Sequence, residues 1–330
     1  MNSKHIALIA CSNGLGHVRR MLTLSIALRR LGARPVLYAP VSKIERLTSL
    51  MGVTKPEMID FQFDACHDGM LSVDRDSLTH QLSELQSYEI VVSDNVVEVL
   101  YLREDAWLSG TFLWHRALDN FPKERFTQAE TILRTVQPRM ISSRMFAAPY
   151  LDENVQVIPV GLYGFEGIRR SRHCEDVLIA CGTGGAITIE TQEFVTSIAA
   201  GPRQIHGIVF VEPSLYRHDM PAWIKPADFT PSMYSRIKCA VIRPGIGTVT
   251  DLLSAGARVF SFYEQGNNEM SLNALRLAAS GVGEDCRDIV RAWNDMTTWI
   301  ASESNWHNHE KEIMALDLAG ASQAAEQLLS

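Results

Sequence analysis

The sequence lacks the features that mark several large classes of protein. Its 330 residues contain no apolar run of about 18 residues, so a membrane-spanning helix is not expected. Acidic residues outnumber basic ones by 38 to 31, which gives no electrostatic support to nucleic-acid binding. The apolar run Ile6–Cys11 is too short for a secretion signal, and we interpret it as a buried strand.

Cysteine is also sparse, and the six cysteines form no C-x-x-C pair. Several of them fall in apolar runs, which is typical of reduced, buried thiols and leads us to expect a cytoplasmic protein. His307 and His309 are a weak metal-ligand pair, because residues two apart on a helix do not face one another. No metal site is therefore expected.

What the sequence does have is a regular alternation of short apolar runs with helical patterns. Runs such as His5–Ala10 and Arg34–Ala39 do not alternate in polarity, which is typical of parallel strands buried on both faces. The segment Gly161–Asp176 interrupts the alternation with glycines and basic residues, and it is predicted to be a linker.

Length and pattern together predict two Rossmann-like, doubly wound parallel-sheet domains that face one another across a cleft. We place the first domain at residues 1–162 and the second at 163–330. In an alternative division, the last helix packs back on the first domain. Ligands of such sheets bind at the carboxyl ends of the strands, where the loops meet.

The loop Asn13–His17 joins the first predicted strand to the first predicted helix. Its spacing is not G-x-G-x-x-G, and no acidic residue ends the second strand, so a dinucleotide site is poorly supported. His17 falls in the first turn of the helix, where the helix dipole disfavours a charged imidazole. His17 is therefore a candidate general base, and the alternative is a histidine that caps or packs locally.

Asp94 is the candidate partner of this histidine. It ends the predicted strand Glu89–Asp94, and the ends of parallel strands share one edge of a sheet. A carboxylate there can orient an imidazole through its second ring nitrogen, as in a catalytic triad. The alternative is that Asp94 caps a helix predicted at Asn95–Arg103.

The second half of the chain repeats the order of strand, glycine-rich turn and helix. Gly245 and Gly247 let a ligand approach the backbone, and a helix start near Thr248 offers N–H donors to phosphate. Arg243 adds a positive charge at the strand end. Asp251 either forms a capping box with Thr248 or accepts hydrogen bonds from two vicinal hydroxyls, such as those of ribose.

A second polar loop follows the next predicted strand, Val259–Tyr263. Glu264, Gln265 and Asn268 bring several hydrogen-bonding groups close together there. This composition suits sugar hydroxyls, and it is equally compatible with an ordinary polar turn.

These residues together resemble the donor-binding segment of GT-B glycosyltransferases of the UDP-glycosyltransferase and lipid II-forming N-acetylglucosaminyltransferase type. The family pattern is roughly (H/R)-x-G-x-G-T-x-x-E, then x₄-G-x-P, a strand, and (D/E)-Q-x-x-N-A. Against this pattern the chain offers Arg243, Gly245, Gly247, Thr248, Asp251, Gly256, Glu264, Gln265 and Asn273-Ala274.

The first loop carries a second resemblance. The start at Gly14 is similar to the G-x-G-H-x-x-R loop of the same superfamily, and either Arg19 or Arg20 fills the arginine position. The nucleotide-sugar hydrolase of the pseudaminic acid pathway has a similar loop and the same architecture, which gives an alternative function in which water replaces the acceptor. A non-catalytic nucleotide-sugar-binding protein is a further alternative.

The resemblance implies a GT-B fold and an inverting, metal-independent transfer of a sugar from a nucleoside-diphosphate sugar to an acceptor hydroxyl. His17 would be the general base and Asp94 its partner. The donor, a UDP- or TDP-sugar, is a co-substrate, so no cofactor is expected. The resemblance implies that the diphosphate contacts Arg243, Gly245, Gly247 and Thr248, and that the ribose contacts Asp251. It also implies that the sugar contacts Glu264 and Gln265, and that the base contacts Phe229. Gly184 lies in the matching first loop of the second domain, "CGTGGA".

The chain departs from the family pattern at the donor site. Asp251 is shorter than the usual glutamate, and Arg243-Pro244 replaces a His-Gly step. The ribose and phosphate contacts are therefore inferred from the charge and position of these residues and not from their identity.

The acceptor side is less specific, and the acceptor itself is not identified. We assign to it Asn13, Gly14 and Gly16 of the first loop, together with His115, which ends a predicted strand at Thr111–His115. The loops 64–76 and 114–122 are candidates to read the acceptor. A lipid acceptor would require peripheral contact with a membrane, and this alternative stays open.

Overall fold

The computed structural model describes residues 3–63, 75–119, 121–165, 168, 175–182 and 186–330. The chain divides into two compact units. The first comprises Met1–Tyr163 and Asp317–Ser330, and the second comprises Gly164–Leu316.

Seven parallel strands form the sheet of the first unit, in the order β3-β2-β1-β4-β5-β6-β7. Strands β1 to β7 are His5–Ala10, Arg34–Ala39, Glu57–Asp60, Ile90–Asp94, Trp107–Ser109, Arg139–Ser143 and Gln156–Val160. Helices α1 to α5 are Gly16–Arg30, Val41–Met51, Arg75–Gln81, Trp114–Ala117 and Lys123–Val136. Three 3-10 helices lie at Ser83–Ser87, Val97–Tyr101 and Leu151–Glu153.

Six parallel strands form the sheet of the second unit, in the order β10-β9-β8-β11-β12-β13. Strands β8 to β13 are Asp176–Ala180, Val209–Val211, Ile224–Pro226, Ile237–Ile242, Arg258–Phe262 and Gly283–Arg287. Helices α6 to α11 are Ala186–Ala200, Pro231–Tyr234, Ile246–Ser254, Asn268–Ala279, Ile289–Ile300 and Glu303–Met314, with a 3-10 helix at Pro213–Leu215.

The last helix, α12 (Gly320–Leu329), belongs to the first unit, where it packs on α1. Its three alanines, Ala321, Ala324 and Ala325, are all buried, and such small side chains let the two helix backbones lie close together. Leu24 and Leu28 of α1 are completely buried in the same cluster. Burial of each such leucine stabilises the fold by about 2 kcal/mol, so α12 is part of the core of this unit.

Most elements lie where the sequence predicts them, and β1 and β2 have the predicted bounds. The predicted helix at Asn95–Arg103 is wrong, because Asn95 has a left-handed φ of 57° and only a 3-10 turn follows it. The predicted strand at Thr111–His115 is also wrong. Strand β5 ends before Gly110, whose φ of 151° and close contact with Asn95 leave no room for a side chain.

Two edge strands, β10 and β13, were not predicted, nor was α11. Across the described part of the chain, every helix is too short or too polar to cross a membrane.

Candidate active site

The register of the first sheet brings His17 and Asp94 together. Strand β1 lies between β2 and β4, and its last residue, Ala10, pairs with Asp94 at the end of β4. Helix α1 starts at Gly16, six residues after this strand end, so its first turn lies over the same edge. The second residue of α1 is His17, and its Nδ1 is 2.8 Å from Oδ1 of Asp94.

The carboxyl group of Asp94 is completely buried. Burial alone raises the pKa of this group, but the charge of Arg20 and the hydrogen bond from His17 hold the pKa below its ordinary value. Asp94 is therefore ionised, and an ionised carboxylate can only accept hydrogen bonds.

An acceptor-only partner at 2.8 Å assigns the hydrogen of the neutral imidazole ring to Nδ1. The lone pair of the ring is then on Nε2. This is the tautomer that a histidine needs to remove a proton from a substrate.

Arg20 completes this group. Its Nε donates to Oδ2 of Asp94 at 2.5 Å, and its Nη2 donates to Oδ1 at 2.8 Å. The neighbouring Arg19 is buried in α1. The sequence marks both arginines only as motif matches, although Arg20, three residues after His17, shares its helix face.

The two glycines of the first loop, Gly14 and Gly16, differ in backbone conformation and in their surroundings. Gly14 adopts a left-handed φ of 64°, which favours glycine. Gly16 has no such φ, and a Cβ added there would meet no described atom within 4 Å. The described residues therefore do not explain a glycine at position 16, whereas close approach of a ligand would. Lys43 holds the loop by donating to the carbonyls of Ser12 and Gly14, and Asn13 between them is half-buried.

Trp114, the first residue of the loop 114–122 that is a candidate to read the acceptor, lies next to the candidate base. The ring of Trp114 is 5.8 Å from that of His17, measured between centroids. Its Nε1 is buried and has no hydrogen-bond partner among the described residues. Trp114 also lines a pocket of the first unit, together with Asn95, Tyr101, Phe121 and Arg125.

His115 lies in α4 and is buried, with Nε2 3.0 Å from Oε1 of Glu130. Glu130 also accepts two hydrogen bonds from Arg116, at 2.7 and 2.9 Å, and one from Asn154 at 3.0 Å. Burial lowers the pKa of His115 despite this carboxylate. These contacts tie α4 to α5 and give His115 a structural setting; its acceptor role stays a prediction.

Glu130 is expected to stabilise the first unit in a pH-dependent way. Hydrogen bonds from Arg116 lower its pKa to about 2. Its contribution is therefore complete above the ordinary pKa near 4.5 and is lost as the pH falls from there towards 2. Glu130→Gln is expected to lower the free energy of unfolding by about 3 kcal/mol at neutral pH, as measured by urea denaturation.

The matched control for this substitution is Glu153→Gln. Glu153 accepts a hydrogen bond from the same Arg116, but its side chain is 61% exposed. An exposed ion pair contributes at most about 1 kcal/mol. Equal losses of stability in the two variants would contradict the importance of the buried network.

In the second unit, Arg243 and Glu264 lie close together because they follow neighbouring parallel strands. Each follows a strand, β11 and β12 respectively, and these strands are neighbours in the sheet. Arg243 Nε lies 2.9 Å from Oε2 of Glu264, and its Nη2 lies 2.6 Å from Oε1. Burial alone raises the pKa of Glu264, but the hydrogen bonds from Arg243 help to lower it to about 2.

The turn after β11 supports the start of a helix. Helix α8 begins at Ile246, with Gly245 as its N-cap and no side-chain cap. The alternative in which Thr248 and Asp251 form a capping box is therefore wrong, because Thr248 is already the third residue of the helix. A Cβ on Gly245 would meet no described atom within 4 Å, and the φ of Gly245 is an ordinary −67°.

The other predicted donor residues lie in varied settings. Asp251 is buried in α8, whereas Gln265 is exposed in the loop after β12. Phe229 has a left-handed φ of 55°, and its ring lies 6.3 Å from that of Tyr234. Gly247 is half-buried in the first turn of α8. Gly184 lies outside the described residues.

In the described ranges, no group of three or more histidine, cysteine or acidic side chains could hold a metal ion. No protein-family model matches the chain, and no curated protein is similar to it in sequence.

Solved structures are similar to the chain over nearly its full length. LpCGTa in complex with UDP has a TM-score of 0.69 at 14% identity and covers 99% of this chain and 98% of its own. The Streptomyces sp. SF2575 glycosyltransferase SsfS6, complexed with thymidine diphosphate, has a TM-score of 0.59 at 15% identity, with coverages of 98% and 99%. The spinosyn rhamnosyltransferase SpnG, complexed with spinosyn aglycone, has a TM-score of 0.62 at 16% identity, with coverages of 97% and 99%.

This likeness confirms the predicted fold class: the chain is an α/β protein with the two parallel sheets of the GT-B glycosyltransferase fold. The expected similarity to a nucleotide-sugar hydrolase is not shown by these structures.

Proposed function

We propose that this protein is an inverting glycosyltransferase that moves a sugar from a nucleoside-diphosphate sugar to an acceptor hydroxyl. The observation that carries the proposal is the buried contact between His17 and Asp94 at the carboxyl edge of the first sheet. The structural neighbours named above are described with UDP, with thymidine diphosphate and with an aglycone, which supports the same chemistry.

In this mechanism Nε2 of His17 takes the proton of the acceptor hydroxyl while the oxygen of that hydroxyl attacks the anomeric carbon of the donor sugar. Asp94 stabilises the imidazolium that forms, as the carboxylate does in a catalytic triad. The bond from the anomeric carbon to the diphosphate breaks on the opposite side, so the configuration inverts. The diphosphate leaves with the electron pair of that bond.

The second unit would bind the donor. Arg243 and the N–H groups of the first turn of α8 would stabilise the leaving diphosphate without a required metal. Gly245 supports this placement, because neither its φ nor its packing explains the absence of a side chain. Asp251 would accept hydrogen bonds from the ribose. Glu264 and Gln265 would accept hydrogen bonds from the sugar, and Phe229 would flank the base.

The first unit would bind the acceptor beside His17. Gly16 leaves space there, and the buried Nε1 of Trp114 would donate a hydrogen bond to an acceptor oxygen. We assign the pocket lined by Trp114 to the acceptor side as well, together with Asn13 and Gly14.

The donor is tested by thermal denaturation with a panel of UDP, TDP, GDP and ADP. A ligand at about 100 times its Kd stabilises the folded state by about 2.7 kcal/mol. This stabilisation raises the melting temperature of a unit of this size by about 5 to 10 °C. We expect UDP or TDP to give this shift, and no shift with any member of the panel would contradict the proposal.

The reaction is tested by incubating the preferred nucleotide sugar with and without a panel of hydroxylated acceptors. Transfer that depends on an acceptor supports the proposal. Rapid stoichiometric release of free sugar in the absence of any acceptor would overturn it in favour of hydrolysis.

A further inference from the structure

We propose that Arg20 is a positioning residue whose charge keeps Asp94 ionised and thereby fixes the tautomer in which His17 can act as a base. The inference rests on the proposed function of His17, but its test does not require a substrate. It starts from the fork of hydrogen bonds that Arg20 makes to both oxygens of the Asp94 carboxylate.

A carboxylate that is completely buried needs a compensating charge. Without one, burial favours its neutral, protonated form. Arg20 lies within ion-pair distance of Asp94 and is itself largely buried, with 13% of its side chain exposed. Tyr163, which lies close enough to interact electrostatically with both residues, cannot supply this charge, because burial raises its pKa and keeps the phenol neutral, and an ionised phenol would itself be negative.

The protonation state of Asp94 decides what His17 can do. An ionised Asp94 accepts a hydrogen bond, so Nδ1 of His17 carries the hydrogen and Nε2 carries the lone pair. A protonated Asp94 could donate to Nδ1 instead. The hydrogen of the ring would then be on Nε2, which would have no lone pair to accept a proton from the substrate.

Arg20 also closes the space beside Nδ1. Its Nη2 lies 3.3 Å from this nitrogen. Because both atoms carry hydrogens when Nδ1 donates to Asp94, this approach is a contact and not a hydrogen bond. The orientation of the imidazole is thus defined by one acceptor, Asp94, and one neighbouring cation, Arg20.

The experiment is a long-range ¹H–¹⁵N NMR measurement of histidine tautomers at about pH 8, where an ordinary histidine is neutral. The protein has 10 histidines, and the resonances lost in His17→Gln identify the ring of interest. We expect the Nδ1–H tautomer in the wild-type protein. Arg20→Met is expected to shift the tautomer ratio at least about tenfold towards Nε2–H, and Asp94→Asn is expected to produce a similar shift.

Two further variants test whether the positive charge at position 20 is responsible. Arg20→Lys keeps the charge and is expected to retain the wild-type tautomer. Arg30→Met removes an exposed arginine from the end of the same helix and is expected to change nothing at His17. If Arg20→Met does not fold, Arg20→Gln replaces it, because glutamine removes the charge but keeps polar groups beside Asp94.

The proposal is overturned if the wild-type ring is the Nε2–H tautomer, or if a folded Arg20→Met or Arg20→Gln variant keeps Nδ1–H. Failure of the proposed function has a different signature. In that case no sugar is transferred by the wild-type protein, whereas the tautomer still responds to substitution of Arg20.

Discussion

Replacing His17 by alanine is expected to lower sugar transfer by about 10²- to 10⁴-fold, the usual contribution of a general base. The loss should appear in kcat, because His17 acts on the acceptor proton and is not among the residues assigned to the nucleotide. Binding of UDP or TDP, measured by calorimetry, is expected to stay unchanged. The measurement is an initial rate with a donor and acceptor pair that the wild-type protein uses.

The control for this substitution is His307→Ala. His307 is an exposed histidine of α11, and its contact is with a backbone carbonyl of its own helix. Turnover within a few-fold of wild type in His17→Ala would show that the base assignment is wrong. Equal losses in both variants would indicate a general effect of losing a histidine.

Replacing Arg243 by methionine is expected to weaken binding of the nucleoside diphosphate by about 10- to 100-fold. Hydrogen bonds between ionised groups each contribute about 1.5–3 kcal/mol, and methionine retains the length of the side chain but none of its donors. Glu264→Gln is expected to leave this affinity equal or higher, because the guanidinium no longer pairs with a carboxylate. Both values are measured by calorimetric titration with UDP and TDP.

Arg217→Met is the matched control, since Arg217 pairs with Asp219 at an exposed position of the same unit. It should bind the nucleoside diphosphate as the wild-type protein does. Unchanged affinity in Arg243→Met would place the diphosphate elsewhere in the second unit.

The two sheets were predictable because their central strands are buried on both faces. Strands such as β1 and β11 are apolar along their buried stretches, residues 6–10 and 239–242, and this pattern is visible in the sequence without any tertiary information. Edge strands lack this constraint. Strand β13, Gly-Glu-Asp-Cys-Arg, lies at an edge of the second sheet and has an ordinary polar composition, so no pattern marks it.

The pairing of His17 with Asp94 was predictable because the ends of neighbouring parallel strands meet at one edge. The part played by Arg20 was not, because whether a long side chain turns inward depends on the space beside the sheet. The same holds for Glu130, which looks like a surface residue of an amphipathic helix but is buried with Arg116 and His115. Local patterns identify positions, and tertiary packing selects the partners.

The packing of α12 on α1 has a consequence for the order in which this protein can be completed on the ribosome. The first unit needs residues from 317 onwards, whereas the second ends at residue 316. The second unit can therefore finish folding before the first, although its sequence is synthesised later. Until α12 has emerged, the side of α1 on which it packs lacks this cover, and a separately expressed N-terminal half would lack it permanently.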